Sequence, residues 1–184
     1  MIIKIADIPP GGRELHFDLE PQKLNDRVDA ARMYQLESGS VPPPPYLFQA
    51  QPQSQVKIEL EGSAVIVKGF ASGQYLSACA RCAEETAKKL KVSLDIILKP
   101  HTERAKESEV EDLGFGYYDG EQIDCAALAE EYLILGLPFT VYCKDDCRGL
   151  CSQCGVNLNS DTCQCAKEGP GDERFAIFRQ LKIN

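Results

Sequence analysis

The chain has no tryptophan, and only two histidines and two methionines among its 184 residues. His16 and His101 both stand apart from any cysteine, so a Cys/His nucleophile pair has no support in the sequence. Neither G-x-x-x-x-G-K-[ST] nor G-x-G-x-x-G occurs, which removes the usual phosphate cradles. No run of about 18 apolar residues is present, so no membrane-spanning helix is expected. The opening Met1-Ile2-Ile3-Lys4-Ile5-Ala6-Asp7 lacks a basic stretch followed by a long apolar one, unlike a secretory signal. Positive charge is also short: 20 Lys and Arg stand against 28 Asp and Glu, a net charge of −8. A chain that coats nucleic acid by charge alone is basic. Carboxylate pairs are many, but in so acidic a chain they say nothing about acid–base catalysis. These absences together predict a non-enzyme, with no small-molecule substrate and no membrane.

The acidic excess is local. Residues 1–100 and 136–184 are each balanced, and residues 101–135 carry 2 basic against 10 acidic side chains. Glu103, Glu107, Glu109, Glu111 and Asp112 lie in that window. Such a run reads either as a solvated loop or as a docking surface for a basic partner.

What the chain has in quantity is cysteine, nine residues in all. A cytosolic location is expected, and there cysteine serves metals more often than disulfides. Cys143, Cys147, Cys151, Cys154, Cys163 and Cys165 place six thiols in 23 residues. Cys79 and Cys82 form a second group around Arg81. In Cys151-Ser152-Gln153-Cys154-Gly155 the two-residue spacing lets both sulfurs face one ion, and the glycine permits the tight turn that aims N–H groups at them. A structural, four-thiolate zinc site is the expectation, and its metal would supply folding energy that the apolar-poor 143–165 stretch lacks. An iron–sulfur cluster also takes four thiolates, and spacing alone does not exclude it. Disulfides or a thioredoxin-like redox pair are weaker readings. Which four of the six thiols bind is not readable. Adding Cys79 and Cys82 gives eight, enough for two four-thiolate sites, with Cys125 left over. Cys125 is either a small buried residue or, at a helix start, a thiol of lowered pKa. Arg81 could meet a phosphate or a backbone carbonyl.

Hydropathy patterning predicts an α+β fold, a twisted antiparallel sheet with a few helices and a cysteine-rich C-terminal element. Strands are expected at Ile3 and Ile5, at Leu15 to Leu19, at Val56 to Leu60, from Val65 to Phe70, and over Leu90 to Leu98, each alternating apolar with polar. Helices are expected from Pro21, with Leu24, Val28 and Ala31 in register, and after Asp124, with Leu128, Tyr132 and Leu135. Gly136, by permitting a left-handed turn, and Pro138 should end the second. Cys79 to Cys82 falls at a loop or strand end. Residues 1–140 then form the main domain, with a proline-rich linker or long loop at 38–46 and an acidic loop at 101–122. Residues 141–168 form the metal-binding element, and 169–184 a final helix packing back through Phe175, Phe178 and Leu181.

From Tyr118 onward the order of residues is specific. It runs Asp119-Gly120-Glu121-Gln122-Ile123-Asp124, Glu130-Glu131, Leu135-Gly136-Leu137-Pro138, Gly149-Leu150-Cys151, then Cys154-Gly155-Val156-Asn157-Leu158-Asn159. Joined to Cys79-Ala80-Arg81-Cys82, this resembles the large ribosomal RNA subunit accumulation protein (YceD) family of bacteria and chloroplasts. The resemblance implies a role in synthesis, processing or stability of large-subunit rRNA. It implies as partners a ribosomal protein or assembly factor of the large subunit, or rRNA itself, and it carries no catalytic residues. An acidic chain favours the protein partner. The local cluster Lys88, Lys89 and Lys91, with Arg81 near in sequence, is the place where RNA contact would fall.

Overall fold

The computed structural model describes residues 1–102 and 116–165. The elements run β1 (Ile2–Lys4), a single 3₁₀ turn (Ile5–Asp7), β2 (Arg13–Asp18), α1 (Pro21–Glu37), β3 (Leu47–Phe48) and β4 (Gln53–Glu61). Then follow β5 (Ala64–Ala78), β6 (Glu85–Pro100), β7 (Gly116–Tyr118), β8 (Gln122–Asp124) and α2 (Cys125–Leu135). The main sheet has the order β2-β4-β5-β6-β7, with β3 also paired to β5, and β1 and β8 make a second, two-stranded sheet. The fold is α+β, as the patterning predicts. The sheet is mixed rather than wholly antiparallel, because β7 lies parallel to β6 inside the stretch expected as an acidic loop. Residues 103–115 of that loop, including Glu103 to Asp112, lie outside the described residues, as does the helix expected over 169–184.

Two long strands dominate. β5 and β6 pair without a break from Val65↔Leu98 to Ala78↔Glu85. The sequence pattern stops β5 at Phe70, but the strand runs eight residues further. At Gly73 the strand runs close beneath Pro52, where a Cβ would sit 3.0 Å from the proline side chain. Alternation sends Val65, Val67 and Ala71 inward with Leu94, Ile96 and Leu98, and all are buried. Each such aliphatic side chain contributes roughly 1.5–3 kcal/mol by leaving water.

α2 covers the inner face of β5 and β6 through Ala129 and Leu133, both fully buried. Asp124 caps it, accepting from the Ala126 and Ala127 N–H groups at 3.0 and 3.1 Å. The helix ends at Gly136 for a different reason from the one the sequence suggests. Its φ is −79°, an ordinary right-handed value. A Cβ at this point would instead collide with the Val92 side chain, so the glycine lets the helix end lie against β6. α1 is a long helix of 17 residues. Its buried Asn25 donates to the Phe48 carbonyl and accepts from the Phe48 N–H, at 3.1 and 2.8 Å, holding the short β3.

The proline-rich 38–46 stretch is a loop, and it is strapped to the body of the fold. Arg32 donates to the Pro43 carbonyl at 3.0 Å. Tyr46 is buried edge-on against Tyr75, and its hydroxyl donates to the Pro138 carbonyl. Burial, with the Tyr75 ring beside it, pushes the Tyr46 hydroxyl up to about 12.

Between the helices lies a buried carboxylate. Glu130 is 2% exposed and meets Lys23 at 3.0 Å and Arg27 at 3.1 Å. Both cations are about half exposed, so the burial cost falls on the carboxylate. Removing both cations (Lys23→Ala with Arg27→Ala) strands a buried charge and should cost about 3–5 kcal/mol in a denaturation curve. Glu130→Gln should cost far less, because the released cations relax into water.

Candidate metal centres

The hairpin between β5 and β6 closes on Cys79-Ala80-Arg81-Cys82. The Cys79 N–H donates to the Glu84 carbonyl at 2.8 Å, and the Ala83 N–H to the Cys79 carbonyl at 2.9 Å. The Cys151-Ser152-Gln153-Cys154 turn repeats this pattern bond for bond. The Cys151 N–H donates to the Val156 carbonyl at 2.8 Å, and the Gly155 N–H to the Cys151 carbonyl at 2.9 Å. Both turns need a positive φ after the second cysteine, 73° at Gly155 and 60° at Ala83. Ala83 is the sole described non-glycine residue in that region of φ. The turn geometry therefore hid from a glycine-based reading of the first knuckle.

The structure divides the cysteines into two groups of four. Cys79, Cys82, Cys143 and Cys147 form one, and Cys151, Cys154, Cys163 and Cys165 the other, with the sulfurs of each within 4.8 Å of one another. The dense C-terminal run is thus not a single cluster. Its first two members cross to the hairpin tip, and its last four stay together. In the first group the sulfurs of Cys79 and Cys147 lie 3.8 Å apart, and those of Cys82 and Cys143 3.7 Å. Four sulfurs placed tetrahedrally about 2.3 Å from one ion stand about 3.8 Å apart. All nine cysteines are free thiols. Each group could therefore hold a metal ion, with no fourth position left open to solvent or substrate.

The two centres differ in setting. In the first, Cys79, Cys82 and Cys147 are buried, and its ligands come from chain segments more than 60 residues apart. The second is local in sequence and more exposed, with Cys154 open to solvent. The thiols respond to these settings. Burial opposes charge on Cys79, but N–H groups of Cys143, Cys82 and Arg81 outweigh it and lower the thiol to about 6. At Cys151 the Cys154 and Gln153 N–H groups do the same, again to about 6. Burial also opposes charge on Cys147, yet the Asn159 amide and the Gly149 N–H hold this thiol low. Cys82 receives an N–H from Glu84, but burial and its sulfur neighbours push it up to about 12. Cys165 is pushed up to about 12 by Cys154 and by burial. Four sulfurs this close cannot all ionise without a cation among them.

Arg81 lies between two ligands and ties both segments together. Its guanidinium donates to the Asp145 and Cys147 carbonyls, each at 3.1 Å, and stacks 4.6 Å over the Tyr142 ring. Its own carbonyl accepts from the Leu150 N–H at 3.0 Å. Of the two roles open from sequence, the structure gives it backbone carbonyls. Lys88 likewise donates to the Cys143 carbonyl at 3.2 Å. Cys125 is not at the site. It is 1% exposed at the first position of α2, and burial drives its thiol up to about 11, the opposite of what a helix start alone would do.

Residues without an assigned role in the sequence reading link the two centres. Asn159 donates to the Cys147 sulfur at 3.3 Å while its carbonyl oxygen accepts from the Arg148 N–H at 2.9 Å. Asn157 accepts from Asn159 and donates to Glu84, at 2.9 and 2.7 Å. The signal was there, two amides at alternate positions directly after a knuckle. Asn159→Ala should speed metal loss from the first centre about tenfold or more, read by chelator competition, while the second centre keeps its rate.

Fold and site together define a small α+β protein built around two four-cysteine centres, one of which fastens the C-terminal segment to a hairpin tip. The chain belongs to the large ribosomal RNA subunit accumulation protein YceD family, whose profile matches residues 67–182 and so takes in all eight of these cysteines. A protein of Mycobacterium tuberculosis (strain H37Rv), itself uncharacterized, is 30% identical over 106 residues, 58% of this chain and 51% of that one. A Mycobacterium bovis protein matches to the same degree. A chloroplastic protein of Arabidopsis thaliana, named as a large ribosomal RNA subunit accumulation protein YCED homologue, is 26% identical over 117 residues, 49% of this chain and 36% of its own length. The chain spans about half the length of the mycobacterial relatives. No solved structure matches it. Among the described residues no helix is long and apolar enough to cross a membrane.

Proposed function

We propose that this chain is a non-enzymatic, cytoplasmic factor for the accumulation of large-subunit rRNA, acting in ribosome biogenesis, with one structural zinc ion in each cysteine centre. The observation that carries the reading is the family match, because it spans the very segment that the two centres organise. Zinc is favoured over an iron–sulfur cluster by sulfur spacings that suit a single tetrahedral ion. Closed four-thiolate sites favour a structural task over catalysis. The partners are a ribosomal protein or assembly factor of the large subunit, drawn by the acidic 101–135 stretch, and rRNA itself. Part of that stretch has internal work, since Asp124 caps α2 and Glu130 is buried. The docking charge therefore rests on its other acids.

The test is to delete the gene and measure the ratio of large- to small-subunit rRNA. The large species should fall selectively and recover with the intact gene. An unchanged ratio would contradict the proposal and leave a zinc-stabilised adaptor unconnected with ribosomes.

A further inference from the structure

The outer face of the main sheet carries both signs of charge: Lys57, Lys68, Lys89 and Lys91 share it with Glu14, Asp18, Glu59 and Asp95. On this face Phe70 of β5 is only half-buried, in a row with Gln55 of β4 and Ser93 of β6. The next rows pair Ser72 with Lys91 and Gln74 with Lys89. The Lys91 ammonium sits 3.9 Å from the centre of the Phe70 ring. Neighbouring charges are already neutralised: Lys57 pairs with Glu59 at 2.6 Å, and Lys68 with Asp95 at 3.8 Å. Lys89 and Lys91 have no carboxylate partner among the described residues. Two adjoining hollows, of about 300 and 440 Å³, share Gln53 and Ser72; the first runs from His16 and Asp18 to Phe70, and the second reaches Lys89 and Lys91.

We propose that this face binds single-stranded RNA, with a base stacked at Phe70 and backbone phosphates at Lys89 and Lys91. The inference deepens the ribosomal reading above and rests on it. Single-stranded RNA offers unstacked bases whose faces suit a half-exposed ring, and base edges that suit amide and hydroxyl groups. Its phosphates suit unpaired ammonium groups. A protein partner would suit an apolar patch better than these amides and lysines. Arg81 and Lys88 take no part, because both already serve backbone carbonyls at the first metal centre.

The probe is a fluorescein-labelled 12-nucleotide uridine RNA, titrated with the full zinc-loaded chain at 50 and 200 mM salt. Binding should weaken as salt rises. Phe70→Ser should weaken it about tenfold or more. Lys89→Gln with Lys91→Gln should flatten the slope of log K against log salt by about 1.4, two phosphate contacts at about 0.7 each. Lys4→Gln, on the other sheet, should change the slope by no more than a single unspecific charge does. Unchanged zinc content in each variant shows that the fold is kept. Absent binding at 50 mM salt, or equal binding by the Lys89/Lys91 variant, overturns the proposal. In that case a deletion strain that still loses large-subunit rRNA, rescued equally by this variant, leaves the ribosomal reading standing. RNA binding through this face with an unchanged rRNA ratio has the opposite meaning: the face is right and the ribosomal reading fails.

Discussion

Replacing Cys82 with serine should lower bound zinc from two ions per chain to one and release residues 141–165 from the hairpin tip. The first centre is the main fastening between these segments. Beyond it lie few apolar contacts: Val141 is buried, but Phe139 and Leu150 are exposed. A structural zinc site contributes about 10–16 kcal/mol, as much as the whole stability of an ordinary domain. The hydrogen bonds of Arg81, Asn157 and Glu84 cannot replace that. The sheet and α2 should survive, since their core of Val65, Leu94 and Leu133 lies elsewhere. Elemental analysis with limited proteolysis reads both effects. Two ions and an uncut 141–165 segment in Cys82→Ser would show that this sulfur is not a ligand. Cys154→Ser should give the complementary result, loss of the outer ion with the hairpin tip still fastened.

Acidification should strip the metal steeply. An ion must displace every proton that its sulfurs hold. In the first centre, Cys79 and Cys147 favour the thiolate, whereas Cys82 is raised to about 12 and burial raises Cys143. Near neutral pH binding must therefore release at least the protons of Cys82 and Cys143, and affinity should fall about 100-fold or more for each unit of acidification. Below about pH 6 the Cys79 thiolate is protonated as well, and the fall becomes steeper. The second centre follows the same course, with Cys151 at about 6 and Cys165 at about 12. The sign is fixed by the raised thiols: they hold protons that the metal must expel, so stability from the metal is present at high pH and lost as pH falls. Chelator competition from pH 8 to 5.5 checks this, and a flat profile would rule out thiolate ligation.

Much of this was legible in the sequence because each signal was local. Val56, Ile58, Leu94 and Ile96 alternate, and Asp124 stands where a helix needs an acceptor. The pairing of eight thiols was legible only as arithmetic. Which four share a site depends on Cys143 and Cys147 reaching a hairpin tip more than 60 residues away, and no spacing encodes that reach. Three further features were hidden for the same reason. Gly136 is required by Val92, Gly73 lies close beneath Pro52, and the prolines at 42–45 are strapped down by Arg32 and Tyr46. Cys125 shows two local rules in conflict. A helix start favours a thiolate, burial opposes it, and burial wins.

The most direct test of the account is the zinc content of the intact, reduced chain, measured by elemental analysis against protein concentration. Two ions per chain are expected, one for each group of four sulfurs. A single ion, or none, would contradict it.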